Sequence, residues 1–470
     1  MRDSPLTPMR CFEADYIFYD GAFHPRAALL ADPDGRIVTI GGREELSMPP
    51  GTSRRRYSGA MVPGAVNAHS HAFQILLRGR ADAARNFRDW VDNYLYPLSL
   101  SLDGAGIEIG SGLAFAEMLK SGVTTVGEFF YLHNSPAAQG CTPLGDQNAL
   151  RVIAAARRVG IRIHLLRCLY DRAERPGQER FYEPADDALA ATELLRQATN
   201  GDAGVTVGIA PHSLHGASGE GIQAASDFAA RHQQPFQIHL AEEQHDLDLA
   251  RQLYGTSPGR ALAALGVVSE RLCLVHGVWL DAEEIANLGT AGAKCAYNPI
   301  SNMALGDGVT DIPAMIEAGV TVALGCDGPG ANHQVNVWQE MRFAEWLQRV
   351  THLRMNVLQE AAEGRALTAN YCFEMGTVNG GLALGLPVGQ LRAGAWADFA
   401  VLDLNDPSLL PHHGPDPTAL LCNVVNAMSA RGAVRHVVVG GEEVVSDGRL
   451  TSVDEEEITG AAAAWRSRNP

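Results

Sequence analysis

A chain of 470 residues exceeds one ordinary domain, although an α/β barrel can absorb most of that length as a single unit. Its apolar fraction of 46% supplies an ample core, while a net charge of -17 with no basic stripe interleaved with aromatics argues against nucleic acid and leaves a small molecule as the expected partner. No run reaches the roughly 18 apolar residues of a membrane span, and the opening MRDSPLTPMRCFEADY lacks a signal-type apolar segment, so no membrane partner and a cytoplasmic location are expected. Eight cysteines without C-x-x-C spacing read as reduced, mostly buried thiols; a homo-oligomer is compatible with all of this.

In chain order, residues 15–57 hold YIFYDGAFHP and GRIVTIGG, short strands punctuated by Asp-Gly and Gly-Gly turns. From about residue 60 the pattern changes to β-branched runs alternating with alanine-rich amphipathic stretches. The runs are Met61–Ala68, Val123–Phe130, Ile161–Cys168, Val205–Ala210, Phe236–Leu240, Leu272–Val275, Ala293–Tyr297 and Val320–Gly325. Between them lie helix candidates such as Ile107–Lys120 and Leu150–Arg158, each closed by a glycine, Gly122 and Gly160. Strict alternation implies parallel pairing through right-handed crossovers, and eight units predict a closed (β/α)8 barrel. A doubly wound nucleotide-binding sheet would carry a phosphate-binding glycine fingerprint after its first strand, and none is present. Residues 388–450, with AWADFAVLDL and HVVVGGEEVVSDGRL, return to short strands. The expected layout is α/β: residues 61–387 form the barrel, and residues 1–60 and 388–470 join into one small composite β-sandwich, because neither flank has enough strands to stand alone.

Catalytic groups of such a barrel sit at the C-terminal ends of its strands. The first run ends in His69-Ser-His71, and strand alternation sends both imidazoles to one side, a metal-binding geometry. Later runs end in Ala210-Pro-His212, in His239-Leu-Ala-Glu242, in Val275-His276 and in Gly325-Cys-Asp327. His69, His71, His239 and Asp327 together make a suitable shell for one divalent metal, zinc first, with iron or manganese as alternatives. A catalytic metal keeps a position open for water and lowers that water's pKa to about 7. Asp327 is then placed to accept the water's proton, Glu242 to carry it to a leaving nitrogen, and His276 to orient the water. Asn302, in Asn298-Pro-Ile-Ser-Asn, is a candidate to reach substrate, as is Trp90, beside Phe87, for stacking on a planar ring. The His412–His413 pair reads as solvent-facing.

With these pieces in place, the chain resembles the amidohydrolase superfamily in its chlorohydrolase and deaminase branch, through PGAVNAHSH, QIHLAEE, LVHGVWLD and ALGCDGPGANH. The resemblance spans nearly the whole chain. It implies one metal on His69, His71, His239 and Asp327, with Glu242 and His276 handling protons. Within that branch, NAHSHAFQ, EMLKSGVTTVGEFFYLH and APHSL are similar to formimidoylglutamate deiminases, which implies substrate-facing roles for Gln74, Tyr131 and His212. Where those deiminases carry two arginines, this chain has Val91, after Trp90, and His215. Arginine forks grip carboxylates, so their loss argues against a dicarboxylate substrate, with Arg78, Arg80 or Arg88 as replacements to consider. The expected reaction is aminohydrolysis of a small imino or amino-heterocyclic compound. Expulsion of sulfide from a thioxo-imidazolidine with a single acidic side chain, or of chloride, is the alternative.

Rival classes fail on particular residues. Gly255-Thr-Ser257-Pro-Gly259 matches a nucleophile elbow, but Pro258 has no N–H for an oxyanion hole, so Ser257 reads as a helix N-cap with proline at the first helical position. The zinc nucleobase-deaminase signature lacks its Pro-Cys-x-x-Cys half, and no His-Glu-x-x-His is present. A non-catalytic scaffold on this barrel would have lost metal ligands, whereas the set here is complete.

Overall fold

A computed structural model describes residues 8–361, 368–411 and 417–468. The His412–His413 pair lies outside the described residues. Eight parallel strands form the barrel: β1 (Ala65–Ser70), β2 (Val123–Phe130), β3 (Arg162–Leu169), β4 (Val205–Pro211), β5 (Phe236–Leu240), β6 (Leu272–His276), β7 (Lys294–Tyr297) and β8 (Thr321–Leu324). Nearly every residue in them is buried, as continuous apolar strands covered on both faces must be. Each run is followed by helix, and the caps explain where those helices begin and end. The helix Gly104–Lys120 starts where the Asp103 side chain accepts the Gly106 N–H, and the helix Gln147–Val159 stops at Gly160, which takes the left-handed conformation at φ 89°.

The strands pair as two sets, β1 to β4 and β5 to β8. Two isolated bridges, Ser70 with Asp327 and Ser213 with His239, close the ring. At these seams the backbone N–H of Asp327 reaches the His69 carbonyl at 3.0 Å, and that of His239 reaches the His212 carbonyl at 3.0 Å. The ring is therefore closed by the same chain positions that carry the candidate site.

Two expectations are corrected and a third is borne out in detail. The run Met61–Ala68 is not one strand: Ala60–Pro63 belongs to an outer sheet and β1 begins at Ala65. The break falls at Gly64, where a Cβ would stand 2.1 Å from Thr124 Oγ1, so only glycine lets the chain pass from one layer to the other. The two flanks do join into one composite pair of sheets, as expected. A seven-stranded sheet interleaves Tyr16–Tyr19, Ala22–Pro25 and Ala60–Pro63 with Phe399–Leu402, Val434–Val439, Glu442–Ser446 and Arg449–Leu450, whereas the four-stranded sheet facing it is entirely N-terminal. Phe12, Ile17, Leu29, Met61, Phe399 and Val438 fill the space between them. Finally, the Asn298-Pro-Ile-Ser-Asn stretch, whose Asn-Pro and Ser-Asn pairs read as a loop after the seventh run, opens a helix, Pro299–Leu305, with Pro299 in its first turn.

Ser257 does precede a helix, Pro258–Ala264, but its hydroxyl donates to Glu284 at 2.6 Å, and it is the Glu284 carboxylate that accepts the Gly259 N–H. The outer sheets are fastened to the barrel by a buried pair. The Arg162 guanidinium, at the start of β3, donates twice to Asp398, at 2.8 and 3.0 Å.

Candidate active site

The C-terminal ends of β1, β5, β6 and β8 converge on one buried point. His69 Nε2 lies 3.2 Å from His71 Nε2, which lies 3.3 Å from His239 Nε2. Asp327 Oδ1 stands 3.4 Å from His71 Nε2 and 3.6 Å from His69 Nε2. The other ring nitrogens explain how these imidazoles are held. His71 Nδ1 bonds the Phe129 carbonyl at 2.8 Å, His239 Nδ1 the His212 carbonyl at 2.9 Å, and His69 Nδ1 the Gln237 side-chain oxygen at 3.0 Å. An oxygen of this kind only accepts, so each Nδ1 carries the proton and each Nε2 presents a bare lone pair. Gln237 is fixed in turn because its amide N–H donates to the Ala68 carbonyl at 2.8 Å.

Three lone pairs aimed at one another, with no proton to share, are satisfied together only by a cation. Two ligands about 2.0–2.1 Å from one tetrahedral ion stand roughly 3.3–3.4 Å apart, close to the separations seen. The residues therefore fit a divalent metal. Burial, then the facing His69, lowers the His71 pKa to about 3, and burial likewise holds His239 well below its ordinary value, so both rings are neutral as ligands must be. Burial alone would raise Asp327, but the facing His69, His276 and His71 hold its carboxyl well below the usual carboxylate range. Ser301 donates to its other oxygen at 2.5 Å. His276 is part of the same cluster, with His69 and Asp327.

Beyond the imidazoles, Glu242 Oε1 lies 3.3 Å from His276 Nε2. Burial, followed by the charges of Asp307 and Asp327, pushes the Glu242 carboxyl well above its ordinary pKa. On its other side, His276 Nδ1 meets the Asn302 amide at 3.0 Å, and Asn302 also donates to Asp307 at 3.0 Å. The Asn302 amide nitrogen occupies that contact, so His276 Nδ1 accepts and Nε2 carries the hydrogen, directed at Glu242. Asn302 is thus corrected: it is fully buried and bonds His276, and it does not line the pocket. His276 at φ 72° and Asp327 at φ 54° both hold the left-handed backbone that non-glycine residues resist, a local strain of about 1–3 kcal/mol each.

A cavity of about 180 Å³ opens onto this point. Gln74, Trp90, Tyr131, His212 and His215 all line it, as does Val91. Gln74 donates to the Tyr131 hydroxyl at 3.1 Å, and the His212 ring stands between Tyr131 and His239. Of the three replacement arginines only Arg88 reaches the cavity; Arg78 is spent on Glu117, at 2.9 and 3.2 Å. Gln237, Ser301 and Asp307 escaped the sequence reading. Gln237 had a signal, since it lies two residues before His239 on the same strand and so shares its side; Ser301 and Asp307 had none.

A profile of the amidohydrolase family matches residues 60–444. The chain is 32% identical to a 5-methylthioadenosine/S-adenosylhomocysteine deaminase from Pyrococcus abyssi, over 85% of both chains, and 28% identical to a 5'-deoxyadenosine deaminase from Methanopyrus kandleri, over 92% of both. Among solved structures, a zinc-bound adenosine deaminase from Xanthomonas campestris superposes with a TM-score of 0.83 over 99% of both chains at 24% identity, and a zinc-complexed atrazine chlorohydrolase from Arthrobacter aurescens with 0.84 over 97% of this chain and 99% of its own at 23%. This chain belongs to the amidohydrolase family and is a hydrolase of its metal-dependent kind.

Proposed function

We propose that this protein is an aminohydrolase that releases ammonia from an amidine-like or N-heterocyclic carbon of a small imino or amino-heterocyclic substrate. His69, His71, His239 and Asp327 would hold one divalent metal, zinc first, which when bound supplies an acidified water as the nucleophile. Asp327, ionised, takes the proton of the attacking water. Glu242, protonated, delivers one to the departing nitrogen, and the His276 Nε2 hydrogen stabilises charge growing at the attacked carbon. Gln74, Tyr131, His212 and His215 orient the substrate, and Trp90 covers its planar face. The observation that carries this reading is the geometry: the buried Glu242 carboxyl stands 3.3 Å from His276, beside the point where His69, His71, His239 and Asp327 meet. An acid poised there favours a leaving group that must be protonated, so ammonia is preferred to chloride. The deaminase names of the relatives point the same way.

A second reading, sulfide release from a thioxo-imidazolidine bearing one acidic side chain, is supported by Val91 and His215 in the cavity wall, at the two places where formimidoylglutamate deiminases carry arginines. A panel of adenine nucleosides, formimino compounds, amino-heterocycles and thioxo-imidazolidines, assayed separately for ammonia and sulfide on zinc-loaded protein, tests both. Chelator-sensitive ammonia release is expected. Sulfide without ammonia would replace the first reading with the second, and neither product from any compound would refute both.

A further inference from the structure

The charged side chains around the cavity divide by whether they already have a partner. Arg175 donates to Asp92 at 2.6 Å, Glu174 is paired with Arg172, and Asp246 accepts the backbone N–H groups of Glu242 and Glu243 at 2.9 and 3.3 Å. Arg88 differs. Among the described residues its guanidinium comes no nearer than 4.0 Å to any carboxylate, that of Glu243, outside hydrogen-bond range; its side chain is 42% exposed and lines the cavity. Among the described residues the five N–H donors of this fixed fork meet no hydrogen-bond acceptor at the wall of a binding site.

Its placement is nevertheless defined. Arg88 sits in a single helical turn, Phe87–Trp90, opened by the Asn86 side chain, which accepts the Asp89 N–H at 2.9 Å. Asp89 is held further by Arg85, and Trp90 is buried, so the turn is pinned on both sides of Arg88. His215 lines the same cavity, a buried imidazole whose pKa burial and then the Arg88 charge lower to about 4. Burial raises the Glu243 carboxyl above its ordinary pKa, while the nearby Arg88 charge draws it down. Aromatic side chains, Phe87, Trp90, Tyr131, Tyr170 and Phe181 among them, make up much of the remaining wall.

We propose that Arg88 is the anion grip of this pocket and that the substrate is a small planar compound bearing one carboxylate, which Arg88 takes as a bidentate pair while the reacting carbon lies at the metal point. The inference takes the site from the functional reading above but is indifferent to the leaving group. A chain of net charge -17 repels anions at long range, so an anionic substrate needs such a local cation. One such fork among the cavity-lining residues, with Arg175 already paired to Asp92, matches one carboxylate rather than two.

The test is calorimetric titration of the zinc-reconstituted protein with imidazole-4-propionate and with its neutral amide. The shared ring cancels any contact with the metal, leaving the tail as the difference. The wild type is expected to bind the acid at least tenfold more tightly than the amide. Arg88→Met should abolish that preference while leaving the amide within twofold, and Arg88→Lys should restore it only in part, since an ammonium lacks the fork. Equal binding of acid and amide by the wild type, no binding of the acid, or a preference that survives Arg88→Met would each overturn the proposal. Because no turnover is needed, an intact acid preference without ammonia release would refute the aminohydrolase reading and leave the grip standing.

Discussion

The floor of the cavity and its wall are built on opposite principles. On the floor, every functional atom is fixed by the barrel itself: three imidazoles are oriented through Nδ1 by two backbone carbonyls and Gln237, and Asp327 lies on a seam where β8 meets β1. The wall comes from loops, notably the segment 78–95 after β1, whose charged residues, Arg88 above all, are only partly committed. A rigid floor can keep one chemistry while a loop-built wall changes what enters, which is the division expected of a barrel enzyme.

The comparison can be broken from either side. His239→Ala or Asp327→Ala should lose or weaken bound metal and reduce turnover to background, as read by elemental analysis and product release. Glu242→Gln should keep the full metal content and lose roughly 10²–10⁴-fold in rate, the usual range for a general acid; near-normal activity in that variant would end its proton-transfer role. Behind the floor, Glu128 is fully buried, accepts the Ala72 N–H at 2.7 Å, and has its pKa raised by burial to about 8. The folded protein therefore retains a proton that the unfolded chain releases, so stability should fall as pH rises from about 4.5 to about 8, by an amount on the order of a few kcal/mol. Glu128→Gln should flatten that slope in denaturant titrations; an unchanged slope would remove Glu128 as its source. The smallest effect belongs to the wall: Trp90→Ala should leave metal content unchanged and raise KM about tenfold, the value of one lost ring contact of ~1.5 kcal/mol.

How far the sequence could be read follows the same division. The metal point was legible because its residues sit at strand ends, where a two-residue period and a parallel barrel leave few places for a side chain to point. The hidden features depend on approaches between distant segments. Nothing local to Gly64 announces that Thr124 will crowd it, so the break between Pro63 and Ala65 was invisible. Asn302 was read as facing substrate because its turn-like Asn-Pro context gave no hint of a helix, Pro299–Leu305, that carries it behind His276. Arg88 was one of three candidates until the structure committed Arg78 to Glu117 and brought Arg88, but not Arg80, to the cavity wall.

The most direct test is to strip the protein with chelator and titrate zinc back while following ammonia release from the best compound of the panel. The account predicts no activity at the start, a linear rise, and a plateau at one equivalent of zinc per chain, with neither rise nor plateau in His239→Ala. Full activity in the stripped protein, or a wild-type rate indifferent to added metal, would contradict it.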